Sequence, residues 1–113
     1  MPSRNLSRRI RDILEMSEEI ELFIAGMSFA DFEQDPKTVK AVLYNLAIMG
    51  EAAGQLLPEV ESLYPEIPWV DMRAIRNVII HEYFQVNLSI TWETIKTDLP
   101  PLIKQLQELL ENS

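Results

Sequence analysis

Apolar residues recur along this chain at helical spacing. Leu6, Ile10, Ile13, Ser17, Ile20 and Ile24 follow alternating steps of four and three, which places them on one stripe of an α-helix, with Ser17 as its polar member. The spacing predicts a first helix over 5–24. Gly26 should end it, because glycine accepts the left-handed conformation common at a helix C-terminus. Residues 28–34 read as a connector that Phe29 and Phe32 anchor to the core. Asp35-Pro36 then gives a start signal, an N-cap carboxylate followed by proline at the first helical position. The second helix is expected to run to Leu57. Val39, Val42, Leu43, Leu46, Ala47, Met49, Gly50, Ala53 and Leu56 spread around so much of its circumference that it should sit centrally, with neighbours on several sides. Gly50, Ala52, Ala53 and Gly54 would let another backbone come close.

Pro58, Pro65 and Pro68 predict a second connector, with room for one helical turn over 59–63. A third helix is expected from Pro68-Trp69 to about Tyr83, broken by residues 85–88. Asn87 or Ser89 can cap the next helix. Leu88, Trp92, Ile95, Leu99, Leu102, Leu106 and Leu109 resume the four-three alternation, with Pro100-Pro101 inside it. An interior proline removes a backbone donor and clashes with the preceding turn, so a kink or break is expected there. The reading is all-α: one domain over 1–113, an antiparallel bundle of four to five helices. The first and last helices carry coiled-coil-like stripes that could pair with each other or with a second copy.

Composition narrows the chemistry. With 113 residues, 47% of them hydrophobic, the chain is long enough for one core, and three glycines are too few for a β-protein rich in tight turns. There is no cysteine and one histidine, His81, which excludes disulfides, a thiol nucleophile and a multi-histidine zinc site within one chain. Carboxylates remain, so composition alone does not exclude Mg²⁺. Arginines interrupt the N-terminal stretch and no window is long and apolar enough to span a bilayer, so the expected address is the cytoplasm. The formal charge of −8 repels nucleic acid, and an RNA or DNA substrate would need a local basic patch or a basic partner. Arg4, Arg8, Arg9 and Arg11 hold four of the ten basic residues; Arg4, Arg8 and Arg11 share one side of a helix and offer one such strip, or these arginines pair with Glu15, Asp12 or a partner.

The most unusual segment is residues 73–83. It collects the one histidine, Arg73 and Arg76, Asn77 and Tyr83 on one predicted helix. At ~100° per residue, Asn77 and His81 share a face, as do Arg76 and Tyr83, whereas Arg76 and His81 stand ~140° apart. Arg76 and His81 serve one site only if the arginine wraps, the helix loosens near His81, or a second protomer completes it. A plainer reading has His81 as a favourable charge at a helix C-terminus, with Arg73 and Arg76 paired to Asp71, Glu82 or acids of a neighbouring helix. Glu51, within the small-residue stretch, would pair with Arg73 or Arg76, orient His81, or sit at an exposed edge. Asn45 reads as a core hydrogen-bonder or a site-shaping residue. Trp69 and Trp92 read as core or interface anchors or as stacking platforms for bases.

Arg76, four residues, His81, one residue, Tyr83 resembles the Arg-x4-His-x-Tyr motif of the HEPN superfamily. The chain is more narrowly similar to HepT-like toxins, the ribonuclease half of HEPN–MNT (HepT–MntA, type VII) toxin–antitoxin pairs. The likeness covers essentially the whole chain: Tyr44-Asn45-Leu46, residues 48–52, Ile67-Pro68-Trp69, Arg76-Asn77, residues 81–83, Trp92 and Asp98-Leu99-Pro100. It implies a dimerising helical bundle and cofactor-free, metal-independent RNA cleavage with Arg76 and His81 catalytic. Asn77 would help fix the site, with Glu51 and Arg73 in support. It also implies an MntA-like nucleotidyltransferase antitoxin that transfers AMP to Tyr83. The residue chemistry agrees. Metal-free cleavage needs a base, an acid and a cation for the phosphorane, and imidazole and guanidinium supply them. With one histidine per chain, a two-histidine mechanism needs two chains. The sequence leaves open whether tRNA or message is cut. The other reading is a non-catalytic helical module that binds a nucleotidyltransferase partner and nucleotide.

Overall fold

The computed structural model describes residues 4–112, with the Arg4 side chain outside that description. Among the described residues seven α-helices occur in order: α1 (Arg4–Ile24), α2 (Phe29–Glu33), α3 (Pro36–Leu56), α4 (Glu59–Leu63), α5 (Trp69–His81), α6 (Leu88–Thr97) and α7 (Leu99–Glu111), with a 3-10 turn (Tyr83–Gln85) between α5 and α6. Five are long. The two single-turn helices account for the excess over the four to five expected.

The stripe of α1 is buried along its whole length: Ile10, Ile13, Ser17 and Ile20 are fully enclosed, with Leu6 and Ile24 nearly so. Ser17 tolerates this because its hydroxyl donates to the Ile13 carbonyl at 2.7 Å within its own helix. Gly26 ends the helix with φ +78°, a conformation a Cβ would penalise. The expected connector 28–34 contains a helix because Ser28 and Asp31 cap it reciprocally: the Asp31 N–H donates to Ser28 Oγ at 3.1 Å and the Ser28 N–H to Asp31 Oδ2 at 3.0 Å.

Helix α3 is central, packed between α1 and α5 and touching α2. Asn45 is the core hydrogen-bonder of the α1 seam. Its Nδ2 donates to the Met16 carbonyl at 3.2 Å and to Glu19 Oε1 at 2.9 Å. Ser17 lies opposite Met49 and Glu19 opposite Asn45, so α1 and α3 run antiparallel. α7 packs beside α1, so the two striped helices pair within the chain. Phe32 and Phe29 pack on Trp92 of α6, ring centroids 5.1 and 6.3 Å away. Trp69 is buried and donates from Nε1 to the Tyr64 carbonyl at 2.9 Å. Both tryptophans thus anchor the interior, and neither stands out as a free stacking platform.

The expected break near Pro100 falls at Asp98. Leu99 then opens α7 with Pro100 and Pro101 in its first turn, where a missing N–H leaves no bond unmade. Asn87 takes the cap of α6, accepting from the Ile90 N–H at 3.0 Å. Among the described residues no helix is long and apolar enough to cross a membrane.

At the start of α3, the Thr38 hydroxyl donates to Asp35 Oδ2 at 2.8 Å and the Thr38 N–H to Oδ1 at 3.2 Å. The Thr38 hydroxyl first, then its backbone N–H, hold the Asp35 carboxyl below its ordinary pKa. A depressed carboxyl stabilises the fold above its unfolded pKa, and that contribution is lost as pH falls through the folded one. Asp35→Ala is therefore expected to lower the thermal midpoint at neutral pH. The gap from wild type should narrow as pH drops below the usual carboxylate range, as followed by circular dichroism.

Candidate active site on the third long helix

The site begins with the close approach of α5 to α3. Gly50 is buried, and a Cβ there would collide with Arg76 Cβ and the Met72 carbonyl oxygen. One helical turn further along α3, a Cβ at Gly54 would touch Arg73 Cδ at 3.4 Å. The pairing of Gly50 with Arg76 and Gly54 with Arg73 makes α3 and α5 antiparallel. It also brings both arginines out along one seam.

Beyond the seam Arg76 is held at its head. Its Nε faces Glu51 Oε2 at 3.3 Å and its Nη1 donates to Asn77 Oδ1 at 3.0 Å. The stem is pinned by Gly50 and the fork is oriented by the next residue of each helix. Glu51 is half exposed, so the ion pair is solvent-screened, and it positions the guanidinium more than it stabilises the fold. Of the partners the sequence left open for Glu51, Arg76 is the one it takes. Arg73 is exposed, and no ion pair to it occurs among the described residues.

Helix α5 ends at His81, two residues short of the expected end. The Glu82 N–H still bonds the Val78 carbonyl at 2.8 Å, after which the chain tightens into the 3-10 turn with Gln85 N–H on the Glu82 carbonyl at 2.8 Å. His81 is exposed at the helix C-terminus, where a cation is favoured. Tyr83 stands off the helix, so the face it was expected to share with Arg76 does not exist. It is 42% exposed, and its ring meets that of Phe84 edge-on at 5.6 Å. The structure thus brings Arg76, Asn77 and Glu51 together, with Arg73 beside them on the seam. It leaves His81 and Tyr83 accessible at the end of the same helix, and the loosening near His81 is real.

A family model described as "Ribonuclease HepT-like" matches residues 13–109. The chain belongs to the HepT-like ribonuclease family. It is therefore a ribonuclease on a HEPN-like helical scaffold. It is 40% identical to a Thermococcus cleftensis protein named "Probable ribonuclease HepT", over 88% of this chain and 91% of that one. It is 38% identical to a candidate RNase of Caldanaerobacter subterraneus subsp. tengcongensis, over 90% and 91%. With a candidate RNase of Methanocaldococcus jannaschii the identity is 35%, over 99% of this chain and 93% of that one. No solved structure matches the chain.

The N-terminal strip is less defined. Arg9 pairs with Asp12 at 3.1 Å, Arg8 and Arg11 are exposed, and the Arg4 side chain lies outside the described residues. The reading from sequence gave Phe84 no role, although an aromatic just past a helix break was the signal.

Gly50→Ala isolates the seam. An alanine in a helix ordinarily gains about 1 kcal/mol over glycine, but here the methyl meets backbone that cannot move without shifting α5. Overpacking of that kind costs typically about 1–3 kcal/mol. Net destabilisation in urea unfolding is expected, together with loss of ribonuclease activity in the folded fraction as Arg76 is displaced.

Proposed function

We propose that this ribonuclease is the toxin of a two-component pair. It cleaves RNA without metal through Arg76 and His81 and is silenced when a nucleotidyltransferase antitoxin transfers AMP to Tyr83. The observation that carries the reading is the division of labour along α5. A guanidinium is oriented by Glu51 and Asn77 with N–H groups to spare, and an imidazole stands free at the helix end.

Arg76 is permanently charged, and its planar fork matches phosphate oxygens, so it stabilises the charge that builds on the phosphorane. The His81 imidazole can take up or give a proton, and it removes the 2′-hydroxyl proton or protonates the departing 5′-oxygen. One chain offers a single imidazole. A two-fold dimer that joins Arg76 and His81 of both protomers at one cleft supplies base and acid together. Asn77 keeps the fork from swinging, and Arg73, exposed on the same seam, adds local positive charge against the net −8.

Silencing is a consequence of placement. The Tyr83 phenol oxygen attacks the α-phosphorus of ATP, pyrophosphate leaves, and the phenolic proton passes to solvent or to a base of the transferase. The product carries bulk and negative charge two residues from His81, where an incoming RNA phosphate would bind. The exposure of Tyr83 in a turn suits a modifying enzyme's access.

His81→Ala, expressed without a partner, is expected to abolish the growth arrest caused by wild type. In vitro it should lower the cleavage rate roughly 10²–10⁴-fold, the usual worth of a general acid–base group. Wild-type products formed in the presence of a chelator should end in 2′,3′-cyclic phosphate and 5′-hydroxyl. Strict Mg²⁺ dependence with 5′-phosphate ends would overturn the scheme. Tyr83→Phe is expected to cleave at near wild-type rate yet remain active after incubation with ATP and the cognate transferase, followed by intact-mass measurement. A mass gain of AMP on that variant would remove Tyr83 as the acceptor.

A further inference from the structure

Tyr44 is 65% exposed within α3, between the buried Leu43 and Asn45. Among the described residues its ring meets no other ring and its hydroxyl makes no hydrogen bond. Its neighbours fix the backbone beneath it by filling the core, so the ring is held in place without contributing to that core. An aromatic side chain set in water on a sealed helix is open to a ligand.

Helical register sets what stands near it. Glu51 lies seven residues on, ~20° out of line, and Lys40 four residues back, ~40° out of line, so the three share one flank of α3. Glu51 meets Arg76 there, which makes it the flank that the arginine fork occupies. Gly50 lies against Arg76 and Gly54 against Arg73 in antiparallel helices. Six residues back from Gly50 and five forward from Arg76, at about 1.5 Å each, bring Tyr44 and His81 within ~2 Å of one level along the seam. His81 stands ~40° around α5 from Asn77, whose Oδ1 accepts from the fork on this same side. Lys40 is exposed and has no ion pair among the described residues. Arg73, Arg76, the opposed His81 and Tyr44, and then Lys40 thus follow one another along the seam over roughly 20 Å.

We propose that Tyr44 stacks on the RNA base next to the bond that is cut, and that Lys40 pairs with the phosphate beyond it. This contact rests on the Arg76–His81 reading of the reaction centre. Cationic and aromatic side chains interleaved along one track suit a single strand of nucleic acid: the cations follow phosphates and the ring takes the face of a base. The net −8 weakens attraction for any polyanion, whereas stacking does not draw on charge. A base held on Tyr44 fixes its own ribose and phosphate across the seam, between His81 and the Arg76 fork. Binding is thereby spent on placing the 2′-hydroxyl and the phosphorus it attacks.

The test separates binding from cleavage with a short single-stranded RNA and its 2′-O-methyl counterpart, which lacks the attacking hydroxyl. Tyr44→Ala should weaken binding of the 2′-O-methyl strand roughly 5- to 150-fold, the worth of one base–aromatic stack, and lower kcat/KM on the RNA by a similar factor. Tyr44→Phe should stay near wild type. An abasic nucleotide moved along the strand should cost wild type that factor at one position flanking the cut, and cost Tyr44→Ala nothing further there. Lys40→Ala should flatten the slope of log affinity against log salt by about 0.7. Both side chains are exposed, so the variants should keep wild-type circular dichroism. Undiminished binding and kcat/KM in Tyr44→Ala, an equal loss in Tyr44→Phe, an abasic penalty that persists in Tyr44→Ala, or a sensitive position remote from the cut would each overturn the proposal. Undiminished RNA binding with weakened binding of the cognate transferase would assign Tyr44 to the partner protein instead. Should His81→Ala still cleave RNA while the abasic result holds, the acid–base scheme fails and the base contact stands.

Discussion

The close approach of α5 to α3 at Gly50 is the constraint on which the site depends. Hydrogen in place of a side chain lets the α5 backbone settle onto α3. Arg76 then leaves the seam beside Glu51, and His81 stands beyond it at the helix end. Without that contact the arginine would be a mobile surface cation, and its ion pair with Glu51 would be worth little. Packing converts a weak exposed interaction into an orientation.

The same seam gathers positive charge locally on an acidic chain. The net field of the chain is unfavourable to RNA, but Arg73 and Arg76 emerge side by side over the small residues of α3. Long-range repulsion is screened within roughly 10 Å at ordinary ionic strength, whereas a guanidinium in contact with phosphate is not. A few placed cations can therefore serve a polyanion on a protein whose total charge is of the same sign. Glu51, which offsets part of that local charge, orients the fork at some expense in attraction.

The end of α5 differs in kind from its middle. The helix stops at His81 and the chain tightens through Glu82, which exposes His81, Tyr83 and Phe84 together. The proposed reaction chemistry and its proposed silencing thus share one short segment. A modification at Tyr83 would bear on the neighbouring His81 through bulk and charge.

The helical architecture was legible in the sequence because burial writes a period into it. The four-three stripe of α1 and the broad apolar arc of α3 appear in the structure as read, as do the caps at Asp35 and Asn87, since these depend on neighbours in sequence. The capping box of Ser28 and Asp31 is equally local. The motif residues were legible through family likeness, and spacing alone did not assemble them into one site. Which acid Arg76 would meet, where α5 would stop, and whether Tyr83 would remain on its helix face were decided by tertiary structure. Each depends on how closely two helices far apart in sequence approach, and no periodicity encodes that distance. Phe84 shows the limit most plainly: hydrophobicity alone predicts burial, and only the folded chain reveals that it has nowhere of its own to be buried.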